Sequence, residues 1–231
     1  MTAHLVKLET APDLVDQVYR ALLDAISEGS LAPGQRITQE DLAEQLAVSR
    51  QPVLQALRLL KNDGFVMDAP GRGLLVTPLD ATLIGKVYQV RGALDALAAR
   101  LAAGFRYRID PRLIEQGRKV VRQGTGGKHI RAMIDADMAF HSAIYSGSQN
   151  PLIEQSAQLH WRHLRRVMGA VLQQTGQRDA VWDEHQAIAD AIAAGDADRA
   201  ARLIETHSLQ ASNNLARELT QVLNTREGDK A

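Results

Sequence analysis

The stretch Gln39-Glu-Asp-Leu-Ala-Glu-Gln-Leu46, Ala47-Val-Ser49, Arg50-Gln-Pro-Val-Leu-Gln-Ala-Leu-Arg-Leu-Leu-Lys61 reads as a short helix, a tight turn and a second helix. Ser49 stands at the cap position of the second helix, with Pro52 inside its first turn, where proline is tolerated. Val53, Ala56, Leu57 and Leu60 form one apolar stripe; Gln51, Gln55 and Arg58 lie opposite, with Arg50 and Leu54 at the flank. Between Ser49 and Lys61 there are three cations, Arg50, Arg58 and Lys61, and no acid, whereas residues 1–78 together carry seven basic and ten acidic residues. The positive charge is therefore local to one helix face. A helix-turn-helix that reads DNA needs this division of its second helix into a packed face and a polar cationic one. The plain alternative is a solvated face in a helical hairpin.

The flanking sequence extends the motif. Leu14, Val15, Val18, Leu22, Leu23 and Ile26 have the spacing of an amphipathic helix that Gly29 and Pro33-Gly34 end. After the second helix, Phe65-Val66-Met67 and Leu74-Leu75-Val76 are joined by Ala69-Pro-Gly-Arg-Gly73, which predicts a β-hairpin. Pro78 and the helix-capping Asp80 mark a boundary near residue 79. Three helices and a hairpin over residues 11–78 can enclose a small core.

Beyond Asp80 the pattern predicts helices only, over roughly 80–104, 110–123, 127–147, 150–173, 178–194 and 196–224, broken by glycine-containing segments. The expected class is mainly α: a winged helix-turn-helix (11–78) followed by an all-helical bundle (79–225), with short tails at 1–10 and 226–231. The 231 residues contain 27 basic and 27 acidic side chains, so a nucleic-acid partner must be met by a local patch rather than by net charge. There is no cysteine, which excludes disulfides, thiolate metal sites and a cysteine nucleophile. Neither a secretory signal nor an apolar run of membrane-spanning length is visible, so the expectation is a cytosolic protein without a membrane partner.

In the helical region, Asp137 and His141 are an i, i+4 pair on the stripe Ile130, Met133, Ile134, Asp137, His141, Ile144. His185 shares a stripe with Val181, Ile188, Ala189 and Ile192, and His207 shares one with Leu203, Ile204, Ala211 and Asn214. Three helices thus bring ionisable groups to apolar faces. Each alone is explained by a core histidine or a capped carboxylate, but four left unpaired would cost roughly 1–3 kcal/mol apiece, and one divalent cation would satisfy them all. A set of nitrogen and carboxylate ligands without sulfur suits zinc, the leading candidate, or nickel, manganese or iron. Arg91 lies on the inward stripe of the first helix of this region and is open to two readings: a partner for an effector carboxylate, or an ion pair with Asp95. Arg165 and Arg166 offer a second cation or a solvated face, and Asn214 is a further pocket candidate.

Over residues 11–78 the chain resembles the winged helix-turn-helix of the GntR family of bacterial transcription regulators. The resemblance is carried by Leu31-Ala-Pro-Gly-Gln-Arg-Ile37, Asp41-Leu-Ala-Glu-Gln-Leu46, Ala47-Val-Ser-Arg50, Pro52-Val53, Ala56-Leu57, Gly64-Phe-Val66 and Gly71-Arg-Gly73. It departs from the family at Glu40 and Leu54, where arginine is usual. Of the family's usual recognition arginines only Arg50 is kept; on their chemistry Gln51 and Gln55 suit adenine edges, Arg50 and Arg58 guanine or phosphate, and Arg72 at the wing tip the adjacent minor groove or backbone, a plain phosphate contact being the alternative for each.

Residues 80–225 resemble the metal-binding branch of the FadR C-terminal domain (FCD). Tyr88-Gln-Val-Arg-Gly-Ala-Leu94, Ser148-Gln-Asn-Pro-Leu152, Glu184-His185 and Gly195-Asp196 carry that likeness. It implies Asp137, His141, His185 and His207 as metal ligands and a small organic acid as effector, whereas His4, His129, His160 and His163 fall outside the pattern. The combined expectation is a homodimeric transcription regulator on an inverted-repeat operator of double-stranded DNA, modulated by a small carboxylate. The rival is a metal-dependent hydrolase, because an Asp/His3 cation with an open position can activate water.

Overall fold

The computed structural model describes residues 14–122, 127–172 and 179–228, and the expected tail at 1–10 lies outside them. The chain forms two compact units, Met1–Pro78 and Leu79–Ala231.

In the first unit α1 (Leu14–Glu28) is followed by β1 (Arg36–Ile37), α2 (Gln39–Gln45), α3 (Arg50–Asn62), β2 (Val66–Asp68) and β3 (Leu74–Val76). The apolar stripes meet in one core, where Val18, Leu22 and Ile26 of α1 pack with Val53, Ala56, Leu57 and Leu60 of α3 and with Phe65, Val66 and Val76. Ala47 adopts φ 53° between α2 and α3, and the Val48 N–H donates to the Ala43 carbonyl at 3.0 Å, which closes the tight turn. Ser49 is the N-cap residue of α3 but makes no side-chain cap bond. The predicted hairpin is present, with Val66 opposite Val76 and Asp68 opposite Leu74. A strand not expected from the sequence is β1, which pairs antiparallel with β3 and makes the sheet order β1-β3-β2. Two residues are too few to show an alternating pattern. At the wing tip Gly71 and Gly73 take φ of 88° and 91°, a conformation that other residues adopt only with strain.

The second unit has six helices among the described residues: α4 (Ala81–Gly104), α5 (Pro111–Arg122), α6 (Gly127–Gly147), α7 (Pro151–Val171), α8 (Asp179–Ala194) and α9 (Ala197–Gly228). Asp80 caps α4 by accepting from the Thr82 N–H at 2.8 Å, and Asn150 caps α7 at Leu152. The last helix continues through Gly228, past the expected end at 224, because no glycine or proline interrupts it sooner and Leu219 and Val222 remain buried. Helices α4 and α9 share the most extensive packing, and the core runs from Ile84 and Val87 through Phe140, Ile144, Trp161 and Leu164 to Ile188, Ile192 and Ile204. Gly117 of α5 is required by close approach: an added Cβ would lie 2.0 Å from the Trp182 ring of α8.

Candidate functional site

In the first unit the exposed surface of α3 carries Arg50, Gln51, Gln55 and Arg58, and Arg72 is exposed on the wing. A cleft of about 600 Å³ lies between α2, α3 and the wing, lined by Arg58, Lys61 and Arg72 together with Arg36, Glu40 and Leu54. Four of these, Arg36, Glu40, Leu54 and Lys61, are not among the contacts expected from the sequence. Arg36 braces the wing, donating to the Arg72 carbonyl and to the Pro70 carbonyl at 2.9 Å. Glu40 accepts an ion pair from Arg50 at 3.0 Å.

In the second unit the structure brings Asp137 and His141 of α6, His185 of α8 and His207 of α9 together, one ligand-type atom from each lying within 4.8 Å of the others. The three imidazoles are fully or nearly fully buried, with ring centroids 4.8–5.6 Å apart. Each is fixed differently. The His207 Nδ1–H donates to Glu184 at 2.7 Å, which leaves Nε2 with its lone pair. His185 is stacked on Phe140 at 4.0 Å and meets Trp182 edge-on at 4.7 Å; neither of its nitrogens has a hydrogen bond, and Nε2 is 3.5 Å from Asp137. His141 Nε2 accepts from Arg91 Nη2 at 2.8 Å. Arginine can only donate, so the His141 proton sits on Nδ1, which faces Asp95 at 3.5 Å.

Arg91 is 2% exposed and Asp95 is 0% exposed, and of the two readings for Arg91 the ion pair with Asp95 is present. It pairs with Asp95 at 3.1 Å and also lines the neighbouring cavity. Its guanidinium lies 3.8 Å above the Trp161 ring. Burial alone would lower the Arg91 pKa, but Asp95, followed by Tyr145, Tyr88 and Asp137, outweighs it and holds the group charged. Asp95 also accepts from the Tyr145 hydroxyl and, at 3.4 Å, from Ser208.

Burial, then the Arg91 charge and the other two histidines, pushes the His141 pKa well below 6.5. Burial, then His207 and Arg91, does the same for His185. Both are neutral near pH 7, the form a metal requires. The linkage sign follows: their contribution to stability is complete above the unfolded value of 6.5 and is lost as pH falls from there towards the depressed native values. Chelator-treated protein is therefore expected to lose up to roughly 1.4 kcal/mol per pH unit for each histidine below pH 6.5. Urea unfolding at pH 7.5, 6.5 and 5.5 checks this, and equal stability at all three would contradict it.

Two members of the cluster, Asp137 and His207, line a cavity of about 460 Å³, with His141 and His185 behind them. Its polar lining includes Arg91, Asp137, Glu184, His207, Asn214 and Arg217, and its apolar lining includes Val121, Met133, Met168 and Trp182. Asn214 stands where the sequence placed it and accepts from Arg217 at 2.9 Å. The Arg217 contribution was missed, since an arginine late in a long amphipathic helix carries no special spacing. Arg165 is ion-paired with Asp135 at 3.1 Å and is not among the lining residues. Arg166 is buried, and desolvation pulls its pKa down to about 10.

Comparison with known proteins agrees with both units. Residues 14–76 match the family described as bacterial regulatory proteins, gntR family, and residues 86–211 match the FCD domain. The chain is 29% identical over 166 residues to the helix-turn-helix transcriptional regulator YdhC of Bacillus subtilis, covering 70% of this chain and 68% of that one. It is 28% identical over 196 residues to a regulator of the same type in an unstable DNA locus of Streptomyces ambofaciens, covering 82% and 80%. A crystal structure of a GntR transcriptional regulator from Rhodococcus sp. RHA1 superposes with a TM-score of 0.69 at 24% identity, covering 87% of this chain and 96% of that one, which is likeness of fold. A winged helix whose α3 carries a cationic exposed face and a helical FCD domain behind it in the sequence make this chain a member of the GntR family, a DNA-binding transcription regulator.

Proposed function

We propose that this regulator holds a divalent metal at Asp137, His141, His185 and His207, and that a small carboxylate reaching that site modulates operator binding. The observation that carries the reading is the convergence of one carboxylate and three buried imidazoles beside a cavity lined by two of them, Asp137 and His207, and by Arg91. The donor set fits a divalent cation of the zinc, nickel, manganese or iron kind, with zinc first. His185 supports the fit, because both of its buried nitrogens lack hydrogen bonds. When bound, the metal supplies an electrophilic centre for a carboxylate oxygen.

The surrounding residues orient the ligands. Glu184 fixes the His207 tautomer, Asp95 faces the protonated nitrogen of His141, and the Phe140 stack sets the His185 ring; outer groups of this kind commonly tune metal affinity. Arg91 holds the His141 Nε2 lone pair that ligation would use, so loading of the site and pairing of Arg91 with an effector carboxylate are coupled. Arg91 and Asn214 are the effector contacts proposed here, with Arg217 added; Arg165 is committed to Asp135.

A homodimer on an inverted-repeat operator of double-stranded DNA completes the reading. Exposed Leu83, Val90 and Leu97 recur every seven residues on α4, and exposed Leu152 and Leu159 do so on α7, which packs on α4. This is the pattern of paired helix surfaces. Helix α4 therefore carries Arg91 and Asp95 inside, a candidate dimer stripe outside, and follows directly in sequence from residues 11–78, the proposed DNA-binding domain; 79–225 is the proposed effector domain. No helix among the described residues is long and apolar enough to cross a membrane.

Thermal unfolding tests the reading. Chelated protein is expected to gain stability when zinc is restored, and to gain more when a library of small mono- and dicarboxylic acids is added with the metal. Stabilisation by metal with no further effect of any acid would make the metal structural only. Sustained ester or lactone hydrolysis lost in His185→Ala would favour the hydrolase.

A further inference from the structure

The DNA-facing cleft contains an acid. Glu40, the second residue of α2, lines it beside Arg36, Arg58, Lys61 and Arg72. A carboxylate in a cleft that approaches phosphates lowers affinity for every duplex alike, so its presence calls for a compensating role. Its partner identifies that role. Glu40 Oε1 binds Arg50 Nη1 at 3.0 Å, and the neighbouring Gln39 side chain donates to the Arg50 carbonyl at 2.6 Å. The first turn of α2 thus grips the first residue of α3 at both its backbone and its guanidinium.

The N-terminal end of such a helix is the part that meets base edges. A guanidinium can contact guanine O6 and N7 together only when its plane is correctly turned. An arginine held before docking loses less freedom on contact than one left to rotate.

We propose that Glu40 is a positioning and specificity residue of the DNA face: it fixes the plane of Arg50 for one guanine in each half-site and disfavours duplexes that lack it. The pair is exposed, with side-chain accessibilities of 66% for Arg50 and 55% for Glu40, so substitutions here are expected to leave the fold intact.

The test is enrichment of duplexes from a random-core pool by the full-length protein, comparing wild type with Glu40→Gln, Glu40→Asp and Arg50→Gln. Wild type is expected to select a guanine at one column per half-site. All three variants are expected to flatten that same column, with discrimination falling about tenfold. Glu40→Gln should also bind a scrambled duplex several-fold more tightly at low salt, whereas Glu40→Asp, which keeps the charge and shortens the reach, should not. The proposal is overturned if Glu40→Gln retains the column at wild-type discrimination while Arg50→Gln loses it, since Arg50 would then read unaided. It is equally overturned if Glu40→Gln shifts affinity for all duplexes by one common factor.

Discussion

Asp95→Ala is expected to destabilise the second unit by about 3–5 kcal/mol, the cost of leaving one member of a buried ion pair uncompensated. Arg91 is 2% exposed, so its charge is poorly solvated when Asp95 is removed. The loss also leaves the Tyr145 hydroxyl and Ser208 without their acceptor. For a chain of this size the melting temperature should fall by about 10 °C. An Arg91→Met/Asp95→Leu double variant removes both charges and should recover much of that loss, because replacing a whole buried pair with apolar groups is often close to neutral. A single variant that melts within 2 °C of wild type would show that the pair contributes little. Recovery of stability in the double variant without recovery of acid response would separate the structural role of Arg91 from its proposed effector role.

The second large effect concerns metal. His185→Ala removes a ring that is 0% exposed, stacked on Phe140 and met edge-on by Trp182, and it is expected to weaken zinc binding at least 100-fold, to the point that purified protein carries none. Glu184→Gln should be milder. It retains a hydrogen-bond acceptor for the His207 Nδ1–H but loses the charge, so a loss of about 10- to 100-fold in affinity is expected. Elemental analysis and competition with a chromophoric chelator measure both. Wild-type stoichiometry in His185→Ala would exclude this residue as a ligand.

Much of this architecture was legible in the sequence because periodicity does the work in helices. The stripe Val53, Ala56, Leu57, Leu60 was readable and is buried, and the stripes bearing Asp137, His141, His185 and His207 do converge. Each of those residues lies on a face whose direction the surrounding apolar residues already set. What was not legible depends on pairs distant in sequence. Strand β1 exists only because Arg36 and Ile37 lie against Leu75 and Leu74. The Glu184–His207 bond spans two helices, and no spacing within either helix foretells it. Arg165 and Arg91 are alike in the sequence as cations on helix faces; one meets Asp135 near the surface and the other is buried against Trp161 and Asp95 beside the cavity. Helix faces follow from the sequence, but the choice of partner across them depends on the fold.

The central claim is that a small acid at the Asp137, His141, His185 and His207 site changes operator affinity. The direct measurement is fluorescence anisotropy of a selected duplex with metal-loaded wild type and with His185→Ala, titrated with the acid that most stabilises the wild type. The account predicts that this acid changes the wild-type dissociation constant by roughly 5- to 150-fold, the usual range of allosteric coupling, and leaves His185→Ala unaffected. An identical acid response in both proteins, or no response in a wild type shown to carry metal and acid, would contradict it.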